Sequence, residues 1–196
     1  MKKIVVGITG ASGSVYAKRL IEEVVKQGIQ TNVVSTDIGK QVFNFELGIS
    51  LDKFISELKE KYGNVKLENN NNLFSGVASG SNKYDAVIIL PCSMGTLADI
   101  AHGMSKNLLC RCADVALKER RRLIIVPRET PFNSIHLENM LKLSNLGTSI
   151  IPAMPGFYQK PQTLDDLVNF VVGKILDHLD INNKLFDKWE DNNNEI

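Results

Sequence analysis

Gly7, Gly10 and Gly13 stand three apart in the run Gly7-Ile8-Thr9-Gly10-Ala11-Ser12-Gly13. Glycines at this spacing let a turn close tightly and let backbone approach a ligand that any Cβ would hold off. The turn follows an apolar run at residues 2–6. It precedes helical spacing over 14–27, where Val15, Leu20, Val24 and Val25 fall between charged residues. Strand, glycine turn and helix together aim backbone N–H groups and the positive end of a helix at a phosphate. The expectation is a nucleotide or other phosphate-bearing ligand at this turn, with the Ser12 hydroxyl beside it. The spacing is Gly-x-x-Gly-x-x-Gly rather than Gly-x-Gly-x-x-Gly, so a purely structural turn is the alternative.

Such a turn needs a frame behind it. Residues 86–90 are a continuous apolar run of the kind buried in parallel sheets, and 30–35, 123–126 and 149–151 read as further strands. A helix is expected over 39–47, with Val42, Phe43 and Phe45 on or near its buried side and Glu46 close to its end. Others are expected over 50–62, capped by Ser50, and over 97–102, 108–119 and 135–146, the last closed by Gly147. Thr163 opens a final helix to about 179, with Leu164, Leu167, Val168, Val171, Ile175 and Leu179 along one side. Residues 69–72 are a polar loop.

Strands alternating with helices give an α/β fold, a doubly wound, Rossmann-like parallel sheet flanked by helices in three layers. Residues 1–196 are expected to form a single domain, with 187–196 a frayed polar tail apart from Trp189, the chain's sole tryptophan. Ligands in such sheets bind beyond the C-terminal strand ends. Those ends carry Gly10, Ala11, Ser12 and Gly13, then Ser35, then Cys92, Ser93, Met94, Gly95 and Thr96, then Arg128 and Glu129, then residues 152–161. These residues read as one pocket.

Composition narrows the partners. The chain is 43% hydrophobic and 23% charged, as soluble globular domains are, and its formal charge of +1 gives no reason to expect nucleic acid. No apolar run approaches the ~20 residues of a membrane span, and nothing resembles a signal peptide, so a cytoplasmic setting is expected. Cys92, Cys110 and Cys112 are an odd count without ligand spacing, and His102, His136 and His178 are scattered. Neither a disulfide framework nor a metal site is expected. Cys92 reads as a small buried thiol and His136 as a structural histidine at a helix start.

The run at 7–13, Pro-Cys-Ser-Met-Gly-Thr-Leu-Ala at 91–98, Ala-Asp-Val-Ala-Leu-Lys-Glu-Arg-Arg at 113–121, Arg-Glu-Thr-Pro at 128–131, His-Leu-Glu-Asn-Met at 136–140 and Pro-Gly-Phe-Tyr at 155–158 occur in an order that resembles the UbiX-type flavin prenyltransferases. The resemblance runs from Met1 to about Trp189. It implies a flavoprotein fold and a metal-independent transferase, which joins the dimethylallyl group of dimethylallyl monophosphate to N5 and C6 of reduced FMN. The prenylated FMN then serves a separate UbiD-type decarboxylase. The family was long described as aromatic-acid decarboxylases, and its members form large closed homo-oligomers, a dodecamer among them.

Carried onto this chain, the resemblance gives Gly10, Ala11, Ser12, Ser35, Ser93, Met94, Gly95, Thr96 and Arg128 to FMN. It gives Arg111, Lys118, Tyr158, Lys174 and Trp189 to the prenyl phosphate, and catalytic roles to Ser12, Glu46 and Glu129. Lys174 stands where some relatives have arginine, which keeps the charge and loses the bidentate fork. The stretch from 35 to 46 differs by one residue in length from some relatives. Fixed cations suit a departing monophosphate, and the flavin, Tyr158 and Trp189 would offer π-faces to an allylic cation.

Two other functions fit parts of the chain. An NAD(P)-dependent short-chain dehydrogenase would use the glycine turn and Asp37, but the chain's only spaced pair, Tyr62 and Lys66, sits in a charged, glycine-broken stretch. A flavin-dependent decarboxylase of an aromatic or cysteine-like acid would share the fold but lacks a histidine near Glu46 to serve as base.

Overall fold

The structure, a computed structural model, describes residues 2–188. Its strands are β1 (Lys3–Ile8), β2 (Gln30–Ser35), β3 (Val65–Glu68), β4 (Ala86–Cys92), β5 (Arg122–Pro127) and β6 (Ser149–Ile150). Its helices are α1 (Ser14–Lys26), α2 (Asp37–Leu47), α3 (Leu51–Tyr62), α4 (Met94–Ala101), α5 (Leu108–Lys118), α6 (Ser134–Asn145) and α7 (Leu164–His178). The strands form one parallel sheet in the order β3-β2-β1-β4-β5-β6, so the strand order reverses between β1 and β4. This is the doubly wound arrangement expected from the alternation of elements.

Successive strand residues point to opposite faces, and the core divides accordingly. Ile4, Val6, Ile8, Ile88, Leu90 and Val126 pack with α1, α3 and α7 on one face. Val5, Val87, Ile89, Leu123 and Ile125 pack with α4 and α5 on the other. β4 is buried along its whole length, which is why it reads as an unbroken apolar run.

Local signals account for the helix starts. Ser50 accepts from the Lys53 N–H, and Thr163 forms a reciprocal capping box with Asp166. β3 falls in the charged, glycine-broken stretch for which no strand is expected; it is an edge strand whose Glu68 points inward, held by Asn32 at 2.7 Å and Ser75 at 3.1 Å. Two expectations need correction. Phe45, expected on or near the buried side, is 90% exposed, because it lies two positions from buried Phe43 and so nearly opposite it on α2. Leu164 is exposed as well, as are its first-turn neighbours Asp165 and Asp166.

Candidate active site

The C-terminal ends of β1 and β4 flank the point of strand reversal and are tied together by one hydroxyl. Thr9 Oγ1 donates to the Pro91 carbonyl at 2.8 Å and accepts from the Ser93 N–H at 2.8 Å. Thr9 is 1% exposed, so this bridge is internal. Sequence reasoning left Thr9 out; a hydroxyl inside the glycine turn, next to a strand end, was the available signal. β5 joins the assembly through Arg128. Its N–H donates to Cys92 O at 3.2 Å, and its Nε donates to the Ser12 carbonyl at 3.2 Å. Arg128 is thereby folded over the glycine turn.

Gly13 caps α1 at φ 116°, a conformation that disfavours any side chain. The positive end of α1 holds a carboxylate of the chain itself. Glu46, in the last turn of α2, accepts from the Ser14 N–H at 2.7 Å and from the Gly13 N–H at 3.1 Å. Burial pushes its pKa up, but hydrogen bonds from the Ser12 hydroxyl, the Ser14 and Gly13 N–H groups and the Ser14 side chain outweigh that and hold it below the usual glutamate value. Glu46 is therefore ionised at neutral pH.

At the β4 end, helix α4 starts at Met94, three residues earlier than expected, because Ser93 caps it by accepting from the Thr96 N–H. Ser93 Oγ also donates to Thr96 Oγ1 at 3.1 Å. The first-turn N–H groups of Met94 and Gly95 have no acceptor within the helix. A Cβ built on Gly95 would meet nothing within 4 Å, so backbone here lies open to a ligand. Met94 differs: its side chain is buried in the core, leaving only its backbone for the site. Ser35 is also buried, its hydroxyl donating to the Thr36 carbonyl at 3.0 Å. A Cβ on Gly10 would strike the Ile38 side chain, so close packing onto α2 is the physical demand at that position. Ala11 is buried beside it.

The remaining predicted residues lie further out. Glu129 follows Arg128 and is exposed, its carboxylate accepting from the Thr130 N–H at 3.1 Å. Tyr158, in the loop before α7, meets Phe170 edge-on at 5.7 Å. Lys174, exposed on α7, lies over the rings of Phe170 and Phe186. Arg111 and Lys118 do not reach the glycine turn. They line a separate cleft on the flank of α5 with Ala78, Ser79, Gly80, Ser81 and Glu119. Arg111 donates to Ala78 O at 3.2 Å and pairs with Asp114 at 2.7 Å, and Lys118 pairs with Glu119 at 2.6 Å. Trp189 lies outside the described residues. Burial pushes the Cys110 thiol up to about 11 and the Cys112 thiol up to about 12, and raises Cys92 further, so none is a ready nucleophile.

The C-terminal ends of β1, β4 and β5 bring together exposed backbone at Gly95, hydroxyls at Ser93 and Thr96, and the Arg128 guanidinium, the kinds of group that bind a phosphate-bearing cofactor. The family described as Flavoprotein matches residues 1–176. The flavin prenyltransferase UbiX of Methanocaldococcus jannaschii is 54% identical over 187 residues, covering 95% of this chain and 98% of that one. The chain belongs to the UbiX flavin prenyltransferase family. Among solved UbiX structures, AnUbiX in complex with FMN and dimethylallyl pyrophosphate superposes with a TM-score of 0.89 at 36% identity, covering 96% of this chain and 97% of that one. A dodecameric FMN-dependent UbiX-like decarboxylase from Escherichia coli gives 0.90 at 36% identity, covering 96% and 99%. UbiX membership replaces the dehydrogenase reading. The geometry is against it too: Tyr62 ends α3 and Lys66 lies on the edge strand β3, two strands across the sheet from β1 and its glycine turn. No helix among the described residues is long and apolar enough to cross a membrane.

Proposed function

We propose that the chain transfers the dimethylallyl group of dimethylallyl monophosphate to N5 and C6 of reduced FMN, releasing inorganic phosphate. One observation carries the reading: where the strand order reverses, Glu46 is held on the Gly13 and Ser14 N–H groups, next to Ser12. An ionised Glu46 accepting the Ser12 hydroxyl proton would leave the Ser12 oxygen free to accept. An acceptor there suits a reaction in which the N5 hydrogen must be given up as an N–C bond forms. Bound reduced FMN supplies the nucleophilic atoms. The N5–C bond would replace the prenyl C–O bond, with the N5 proton leaving on the phosphate; the C6–C bond would replace C6–H, its proton offsetting the one the prenyl double bond takes up.

Glu46 acts as the anchor of Ser12 more than as the terminal base. A carboxylate held below its usual pKa and already accepting several hydrogen bonds is a weak proton acceptor. Gly95, Ser93, Thr96 and Arg128 would hold the flavin. Tyr158, Lys174 and Glu129 would meet the prenyl phosphate. Arg111 and Lys118 would be supplied by a neighbouring chain, in a homo-oligomer well above a dimer for which the dodecameric relative is the reference. Apolar surface on several elements supports that assembly: Phe45, Phe74, Leu137 and Leu141 are all exposed. The product would pass to a UbiD-type decarboxylase in the cytoplasm, a setting that suits three free thiols.

The test is the mass of the flavin after incubation with reduced FMN and dimethylallyl monophosphate, with the diphosphate run in parallel. A gain of one isoprene unit with release of phosphate is expected. An unchanged flavin, or CO₂ evolved from a hydroxybenzoate or cinnamate by this chain alone, would overturn the reading.

A further inference from the structure

Lys174 is a lone ammonium on a flexible four-carbon stem, which fixes its own direction far less than a guanidinium fork does. The surrounding structure supplies a constraint. Its Nζ lies 5.1 Å from the centroid of the Phe186 ring and 5.8 Å from that of Phe170. The two rings meet at 5.5 Å and 60°, and Phe170 meets the Tyr158 ring edge-on at 5.7 Å and 82°. One aromatic row thus links Tyr158 to Lys174.

Phe186 reaches this row on the segment that follows α7. That segment turns back along the helix and is pinned at several points. Asn183 Nδ2 donates to Asp177 Oδ1 at 2.9 Å, and Lys188 pairs with Asp177 at 2.9 Å. The Gln159 side chain donates to the Asp187 carbonyl, tying the segment to the loop that carries Tyr158. On the helix, Gly173 leaves the space the ring fills, since a Cβ there would overlap Phe186 Cδ1.

We propose that Phe186, seated on Gly173, is a positioning residue: with Phe170 it holds the Lys174 ammonium beside Tyr158, so that the two meet the phosphate of the prenyl donor. The proposal rests on the prenyl-transfer reading above. Attraction between the ammonium and the ring faces fixes the stem without neutralising the charge. A ring serving only as apolar cover would act equally with or without the Lys174 charge, and the two roles separate on that point.

The experiment compares Phe186→Leu, which keeps an apolar plug, with Phe186→Tyr, which keeps the π-face. In Phe186→Leu the KM for dimethylallyl monophosphate is expected to rise about threefold to tenfold, with kcat within about twofold. FMN affinity should be unchanged, and Phe186→Tyr should restore the KM. Gly173→Ala, which favours the helix while displacing the ring, should raise the KM in the same way. In a Lys174→Met background Phe186→Leu should add nothing. A wild-type KM in Phe186→Leu, or an equal rise with and without Lys174, would overturn the proposal. Calorimetric binding of dimethylallyl monophosphate to the FMN-loaded protein reads the same contrast independently of turnover. Wild-type protein that binds this phosphate but leaves the flavin unaltered would sink the prenyl-transfer reading alone.

Discussion

The glycine turn and the outer flank of α7 are held in opposite ways. At the turn, side chains are fixed by hydrogen bonds to backbone: Thr9 bridges two strand ends, Glu46 closes the helix, and Arg128 lies across Ser12. Most of these groups have little rotamer freedom left to lose. On the flank of α7, long exposed side chains rest on aromatic rings, and Arg111 and Lys118 are not in reach at all. On the proposed reading, a single chain carries the flavin half, while the phosphate half is completed by a second copy. The chemistry makes a demand on each half. The flavin must be held in one geometry at N5, and a departing phosphate is met best by several cations already held in place.

The largest break in this contrast should come from Ser12. Ser12→Ala is expected to retain FMN but slow alkylation by about 100-fold or more, because a positioned proton acceptor is lost and the backbone cradle is not. Single-turnover rates with preloaded flavin measure it, and unchanged turnover would remove Ser12 from the mechanism.

The next effect separates ligand space from packing space. Gly95→Val puts its branched side chain into open space at the start of α4 and should weaken FMN binding by about tenfold or more while leaving the melting temperature nearly unchanged. Gly10→Val should do the reverse first, lowering the melting temperature by displacing Ile38. If both variants behave alike, the distinction between the two glycines is wrong.

A smaller effect belongs to Lys174. Lys174→Ala should raise the KM for dimethylallyl monophosphate by about tenfold and leave FMN affinity intact, since the charge meets only the phosphate. Equal losses of both ligands would place Lys174 in the flavin half.

The smallest is a pH effect on stability. The pKa of Glu46 is depressed in the folded chain, so its contribution is full above the usual glutamate value and fades as pH falls through the folded one. Between about pH 5 and about pH 3 the wild-type melting temperature should fall more steeply than that of Glu46→Gln. Parallel curves would mean that the carboxylate is not anchored as described.

Much of this organisation is legible in the residues. The strands at 30–35 and 86–90 declare themselves by β-branched and apolar runs, and Ser50 and Thr163 announce helix starts through the hydroxyls that cap them. β3 escapes because an edge strand of four residues that turns a glutamate inward has almost no apolar pattern. Spacing alone made the glycine turn a phosphate cradle. It could not show that Glu46, 32 residues beyond Ser14, swings in from another helix to fill it. Only the family resemblance pointed to that pair. Phe186 had no signal at all, since its role depends on a chain reversal after α7 and on the side chain that Gly173 lacks.

The central claim, that one chain carries the flavin half and a neighbour completes the phosphate half, is tested most directly in mixed assemblies. Ser12→Ala and Lys118→Met chains, each nearly inactive alone, would be produced together so that they co-assemble. The account predicts that about a quarter of wild-type activity returns, from sites where an intact Ser12 faces an intact Lys118 of another chain. Mixed assemblies as inactive as either parent would contradict it, and would mean that both residues must come from the same chain.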